Sequence, residues 1–167
     1  MIAKTEKDFA VDTARVYLTG FSQGAQTVQS LAWRMADVFT AVSPHHGFSA
    51  NGYARAPKTP MDFFQVWSTE DQVVPGNGRP TPVDGMIYDS VAETMKAWAE
   101  AQGCSRKPIP FPTSYDGRRG WAVVQYPNCA TGATVVSASW DGPHFWGAVA
   151  TKSETATMLD FFENATP

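Results

Sequence analysis

Nine consecutive residues organise this chain: Val16-Tyr17-Leu18-Thr19-Gly20-Phe21-Ser22-Gln23-Gly24. The short apolar run at their start predicts a strand, and the apolar residues that recur at intervals of three and four after Gly24 predict a helix. Ser22 therefore lies where a strand turns sharply into a helix. The pattern G-x-S-x-G at such a turn is typical of a nucleophilic serine, with glycines expected at both ends because side chains there would clash with neighbouring backbone. The next backbone N–H, that of Gln23, is expected to bind an oxyanion.

The rest of the chain alternates between strand and helix patterns. Apolar runs predict strands at 39–43, 61–67, 121–126 and 133–140, and we expect Pro44 to stop the first of these. A capping box at Ser90 and Glu93 starts one helix, and another begins at about Ser153. This alternation predicts an α/β fold: a mostly parallel sheet with helices on both faces, in one domain over 1–167.

Composition excludes some classes of function. The net charge is −3, and the absence of a basic run or basic helix face argues against nucleic-acid binding. No apolar stretch reaches the roughly 18 residues that a membrane-spanning helix needs. The first residues also lack the apolar core of a signal peptide, so we expect no membrane partner and no export signal in this chain.

The two cysteines, Cys104 and Cys129, permit one disulfide. The alternative is a pair of buried free thiols. An even number of cysteines does not by itself decide between these alternatives or establish the compartment.

An acid and a histidine follow two later predicted strands. Asp71 comes just after the strand at 61–67, and His144 comes just after the strand at 133–140. Because functional loops gather at the carboxyl ends of parallel strands, Ser22, Asp71 and His144 are expected to meet, in the chain order of α/β-hydrolases. Ser22 would be the nucleophile, His144 the general base and Asp71 the group that orients the histidine, in a mechanism that needs no cofactor.

Other residues compete for these roles. Asp141 and Asp62 are alternative acids, but Asp71 has the strand-end position that the role requires. His45 and His46 are expected to line the pocket, and no third ligand at familiar spacing supports a metal site. Candidates for substrate contact therefore combine His45 with aromatic residues near strand ends, although such aromatics are more often core. These candidates are Phe21, His45, Trp67, Phe145 and Trp146.

Three segments together resemble one known branch of enzymes: 12–24 with 37–42, the acid segment 68–75, and the histidine segment 142–147. They are similar to the polyhydroxybutyrate depolymerase and feruloyl esterase branch of the α/β-hydrolases. The resemblance implies a serine carboxylester hydrolase that acts through an acyl-enzyme on a small or polymeric ester. It also implies a disulfide between Cys104 and Cys129 and a secreted parent protein.

The resemblance exposes one departure. Members of the branch carry about four more strands before the serine turn, and a loop among them donates the second oxyanion N–H. Residues 1–167 would then be a partial catalytic domain, and loss of one such donor costs roughly two to three powers of ten in rate. The alternative function is therefore a truncated, weakly active or non-catalytic relative that binds an ester or polysaccharide. The strand before Ser22 would also form a sheet edge, which could pair with a second copy in a homodimer.

Overall fold

The structure is a computed structural model of the chain, and it describes residues 2–111, 121–146 and 151–165. Helices and strands alternate along most of this length, as the sequence predicts. Their bounds are α1 Ile2–Asp8, β1 Tyr17–Phe21, α2 Gln23–Arg34, β2 Ala41–His45, β3 Asp62–Ser68, α3 Val91–Ala101, β4 Ile109–Pro110, β5 Ala122–Tyr126, β6 Val135–Trp140 and α4 Thr151–Glu163.

The strands form one sheet in the order β1-β2-β3-β6-β5-β4. Three neighbouring pairs are parallel: β1 with β2, β2 with β3, and β3 with β6. The strand β5 runs antiparallel to both β6 and β4. The expected mostly parallel sheet is therefore confirmed. The parallel strands end at one edge of the sheet, where β1, β3 and β6 lead into the segments that carry the candidate site residues.

Helices cover both faces of the sheet, as expected. Adjacent residues of β3 point to opposite faces because side chains alternate along a strand. On one face, Phe63 stacks on Trp98 of α3 with ring centroids 3.8 Å apart, and α2 packs beside it. On the other face, Phe64 lies in a cluster with Met158 and Phe162 of α4. Two apolar cores thus hold the sheet between α2 with α3 and α4.

The second strand differs from the prediction, because β2 continues through Pro44 to His45. The ladder to β3 pairs Ala41 and Val42 and then resumes at His45. Backbone bonds flank the proline: Ser22 N–H donates to the His45 carbonyl at 2.8 Å, and His46 N–H donates to the Val66 carbonyl at 2.9 Å. The strand therefore tolerates a residue without an N–H, and the two histidines reach the functional edge of the sheet.

The polar start of the chain contains a short helix, α1, that the sequence did not predict. All its residues but Ile2 are exposed, and Ile2 contacts the core. The helix therefore has almost no apolar face from which the sequence pattern could predict it. The turn expected at Asp116-Gly117 lies outside the described residues.

Local signals for the third helix are confirmed. The Ser90 side chain accepts a bond from the Glu93 N–H, and the Glu93 side chain accepts one from the Ser90 N–H. The disulfide between Cys104 and Cys129 is also present, and it ties the end of α3 to the segment between β5 and β6. Among the described residues, no helix is long and apolar enough to cross a membrane.

Candidate active site

The structure brings the three predicted side chains together at the carboxyl edge of the sheet. Ser22 follows β1, Asp71 lies beyond β3 and His144 lies beyond β6. His144 Nε2 is 2.8 Å from Ser22 Oγ, and His144 Nδ1 is 2.7 Å from Asp71 Oδ2. The three groups form a continuous hydrogen-bonded row from hydroxyl to carboxylate.

Ser22 occupies the strained turn expected of a nucleophile, with φ 57° and ψ −120°. A Cβ added at Gly20 would lie 2.6 Å from the backbone carbonyl of Gly24, so the first glycine is a steric requirement. The second is not, because a Cβ at Gly24 would meet no described atom within 4 Å. The clash expected at that end of the motif is therefore wrong. The backbone that presses on Ser22 from the other side is Gly47, where a Cβ would overlap the Ser22 carbonyl.

Asp71 is fixed by more than the histidine. Its side chain is 2% exposed, and its Oδ1 accepts backbone bonds from Val73 at 2.8 Å and Val74 at 2.7 Å. The remaining oxygen, Oδ2, faces His144. The loop after β3 therefore orients the carboxylate, and the carboxylate orients the imidazole with Nδ1–H toward it.

The N-terminus of α2 lies directly beside Ser22. Gln23 is the first residue of the helix, so its N–H has no acceptor within the helix, and the helix dipole makes this end positive. An anion that formed on a group attached to Ser22 Oγ would be stabilised here. The expected role of Gln23 as an oxyanion donor is thus compatible with its position.

The aromatic candidates for substrate contact differ in their positions relative to His144. The Phe21 ring lies 5.0 Å from the His144 ring and 5.9 Å from that of Trp146. Phe145 is 57% exposed beside the site, whereas Trp67 is half-buried against Gly76. Phe21 and Trp146 therefore form the nearer apolar wall.

His45 and His46 lie behind the site and have no exposed surface. They meet the fully buried Glu154 of α4: its Oε1 is 2.5 Å from His45 Nδ1 and 3.2 Å from His46 Nε2. The expected substrate contact of His45 is therefore not part of the site that we propose. Glu154 has no local sequence signal, because its histidine partner is 109 residues away.

Burial and hydrogen bonding oppose each other in this cluster. Burial alone would raise the pKa of Glu154, but hydrogen bonds from His45 and His46 outweigh it and hold that pKa below its ordinary value. Burial lowers the pKa of His45, against the opposing hydrogen bond and charge of Glu154. In the described part of the chain, no group of three or more histidine, cysteine or acidic side chains is arranged to hold a metal ion.

The alternative acids lie elsewhere. Asp62 begins β3, at the opposite edge of the sheet from Ser22, and accepts a 2.6 Å bond from the Thr134 N–H. Asp141 is exposed and accepts a bond from the Thr69 hydroxyl. Asp71 is the acid that contacts His144.

Comparison with known proteins shows sequence similarity to parts of two longer proteins. The chain is 25% identical over 156 residues to a probable feruloyl esterase C of Aspergillus niger, an alignment that covers 93% of this chain and 52% of the relative. It is 32% identical over 74 residues to a bifunctional acetylxylan esterase/xylanase of Neocallimastix patriciarum, which covers 44% of this chain and 11% of that protein. No family model matches.

A solved structure supports the architecture. An acetyl xylan esterase from Aspergillus awamori superposes with a TM-score of 0.68 at 14% sequence identity, over 98% of this chain and 64% of that one. The chain thus spans about half the length of the first relative and less than two thirds of this structure. At this low identity the likeness concerns the fold alone, and the chain has an α/β-hydrolase-like fold.

Proposed function

We propose that the chain belongs to a serine carboxylester hydrolase in which Ser22, His144 and Asp71 form the catalytic triad. The observation that carries this proposal is the row of two hydrogen bonds, 2.8 Å and 2.7 Å long, from Ser22 through His144 to Asp71. A serine hydroxyl is a weak nucleophile near neutral pH and needs an adjacent base. The strained turn at Ser22 and the ordered carboxylate of Asp71 are what such a base and nucleophile require.

The geometry supports an acyl-enzyme mechanism. Ser22 Oγ attacks the ester carbonyl carbon while His144 Nε2 takes its proton, and the Gln23 N–H binds the resulting oxyanion. His144 then returns the proton to the leaving alcohol as the carbon–oxygen bond breaks. A water molecule, deprotonated by His144, attacks the acyl carbon, and the acid is released with Ser22 restored. Asp71 holds the imidazole and stabilises its charged form in both halves.

The substrate we propose is an ester carried by a polysaccharide. Phe21 and Trp146 offer an apolar wall for an acyl group beside His144, and the exposed Phe145 is the next residue along the chain. The two relatives in sequence are named for feruloyl and acetylxylan ester cleavage, which accords with this class. We further propose that the parent protein is secreted, since the disulfide suits an oxidising compartment.

Hydrolysis of p-nitrophenyl acetate tests the proposal. The wild-type chain is expected to release p-nitrophenol faster than the Ser22→Ala variant, with Ser30→Ala as the control because Ser30 is an exposed serine of the same helix. Equal rates for wild type and Ser22→Ala would reject Ser22 as the nucleophile.

A non-catalytic binding relative is the second candidate. It follows from the resemblance, which implies a second oxyanion donor besides the Gln23 N–H. Binding to insoluble xylan, with no hydrolysis above that of Ser22→Ala, would select this function over the esterase.

A homodimer through β1 is also a proposal. β1 is an edge strand of the described sheet, and a groove of about 700 Å³ lies beside it, lined by Val16, Leu18 and Leu31 among others. An exposed strand edge can pair with a second copy. Sedimentation velocity is expected to show a dimer at micromolar concentration, and a monomer at high concentration would rule out this assembly.

A further inference from the structure

All three histidines of the chain meet in one place. The proposed chemistry uses His144, but it leaves unexplained why His45, His46 and Glu154 are fully buried behind it. Burying a carboxylate between two imidazoles is costly unless the contacts are well satisfied. Such a cluster therefore calls for a function of its own.

Two buried serines complete the cluster in matching ways. The Ser43 hydroxyl donates to the Phe64 carbonyl at 3.1 Å, and its oxygen is 2.8 Å from His45 Nε2. The Ser68 hydroxyl donates to the Pro143 carbonyl at 3.1 Å, and its oxygen is 3.2 Å from His46 Nδ1. Each serine oxygen thus lies between a backbone carbonyl and an imidazole nitrogen, and it ties one histidine to one backbone group.

Glu154 contacts both histidines. His45 Nδ1 and His46 Nε2 both face the same oxygen of Glu154, Oε1. A neutral His45 whose Nδ1–H points at Glu154 satisfies the short 2.5 Å contact, and burial, which lowers the pKa of His45, favours that neutral form. Among the described residues, no hydrogen bond of good geometry satisfies His46 Nε2 or Glu154 Oε2, so Glu154 and His46 are held together by charge and packing.

The cluster reaches the loop of His144 on both sides. Ser68 holds the carbonyl of Pro143, the residue before His144, and the His45 ring stacks on Trp146, two residues after it, at 4.5 Å. The His46 ring lies 6.1 Å from the His144 ring. His46 also has a φ of 52°, an unfavourable conformation for a residue with a side chain, which persists where the surroundings impose it.

We infer that Glu154, acting through His46 and Ser68, positions the catalytic histidine. Glu154 contacts His46, His46 holds the oxygen of Ser68, and Ser68 fixes the backbone immediately before His144. The catalytic consequence rests on the proposed function, because a displacement of His144 slows the reaction only if it is the base. Glu154, His46 and Ser68 are positioning residues that do not contact the reacting atoms.

The matched serines provide the test. Ser68→Ala removes the bond to the Pro143 carbonyl and is expected to lower kcat on p-nitrophenyl acetate about tenfold, with KM within twofold, since small displacements of a base lower the rate steeply. Ser43→Ala removes an equally buried hydroxyl that bridges His45 to the Phe64 carbonyl in the middle of β3 and, unlike Ser68, makes no bond to the backbone beside His144 in the described part of the chain. It is expected to keep kcat within twofold. Equal losses in both variants would overturn the inference.

A double-mutant cycle tests whether Glu154 positions His144 through Ser68. Glu154→Gln removes the charge from the cluster and is expected to lower kcat at least as far as Ser68→Ala does. The double variant is expected to be no slower than the slower single variant, because both changes break one chain of contacts. Fully additive losses would show that Glu154 does not act through Ser68.

A spectroscopic readout separates this inference from the esterase proposal. The imidazole N–H of His144 that faces Asp71 is expected to give a low-field proton resonance, which is assignable because the chain has three histidines. Ser68→Ala is expected to shift or broaden it, and Ser43→Ala is expected to leave it unchanged. An unchanged resonance in Ser68→Ala would contradict the positioning role even in a chain without turnover.

Discussion

Ser22 has a backbone that its neighbours force into an unfavourable region, with φ 57°. The strain arises because β1 must turn into α2 within one residue while Gly20 and Gly47 let other backbone approach closely. Only the first glycine of the G-x-S-x-G motif is required by this packing. The motif therefore contains one structural glycine and one position that is sterically open in the described structure.

Two alanine substitutions test this difference. Gly20→Ala places a Cβ 2.6 Å from the Gly24 carbonyl and is expected to cost about 1–3 kcal/mol and most of the esterase activity. Gly24→Ala meets no described atom within 4 Å, lies inside α2, and is expected to leave the fold unchanged or stabilise it by up to about 1 kcal/mol. Urea denaturation and p-nitrophenyl acetate assays measure both. Equal destabilisation by the two changes would show that the turn is packed differently.

The acid of the triad is tested by replacing carboxylates with amides. Asn at position 71 keeps an oxygen for the Val73 and Val74 N–H groups but turns a donor toward His144, which forces the wrong tautomer. Asp71→Asn is therefore expected to lower kcat by about three to four powers of ten. Asp141→Asn, at the exposed alternative acid, should keep the wild-type rate. A larger loss in Asp141→Asn would reassign the acid.

Sequence and structure agree best on the residues whose positions follow from topology. Ser22, Asp71 and His144 each follow a strand, and parallel strands bring their carboxyl ends to one edge. Glu154 could not be predicted in this way, because its contacts depend on how α4 packs over the sheet. His45 was expected near the site and lies there, but buried behind it, since burial of a polar ring depends on a partner that the local sequence does not reveal.

At the scale of elements, the helices and strands with strong local signals agree with prediction. The capping box of Ser90 and Glu93 starts α3, and the alternation of β3 separates Phe63 from Phe64. The elements that differ from the sequence-based prediction are those in which tertiary contacts override a local rule. β2 passes through Pro44 because the bonds on either side persist, and α1 forms with one residue, Ile2, against the core.

The disulfide joins two elements far from the site, and this gives a prediction. Cys104 and Cys129 are 25 residues apart, and closing a loop of that length stabilises a fold by about 3.5 kcal/mol in the chain-entropy model. A variant with Cys104→Ala and Cys129→Ala is expected to lose about that much stability in urea. Its kcat at a temperature where it is folded should match wild type. A tenfold lower kcat would show that the disulfide supports the site.

At the scale of the whole molecule, the buried cluster makes stability depend on pH. The pKa of Glu154 is held below its ordinary value of 4.5, so the ionised carboxylate stabilises the fold above that pH. As the pH falls below 4.5, the unfolded chain takes up the proton first, and this stabilisation is lost. Urea midpoints measured at falling pH are expected to decrease more steeply for wild type than for Glu154→Gln.

Asp160→Asn is the control for this effect, because Asp160 is an exposed acid on the same helix. It should keep the wild-type slope. Identical slopes in wild type and Glu154→Gln would mean that the cluster does not hold the carboxylate in its ionised form.

The whole molecule has an α/β-hydrolase-like fold that spans about half of the first relative, with a hydrogen-bonded Ser22, His144 and Asp71 at its functional edge. The most direct test of the central claim is intact-mass spectrometry after incubation with a fluorophosphonate. We predict one covalent adduct on wild type, mapped to Ser22, no adduct on Ser22→Ala, and much slower labelling of His144→Asn. Equal labelling of wild type and Ser22→Ala would contradict the account.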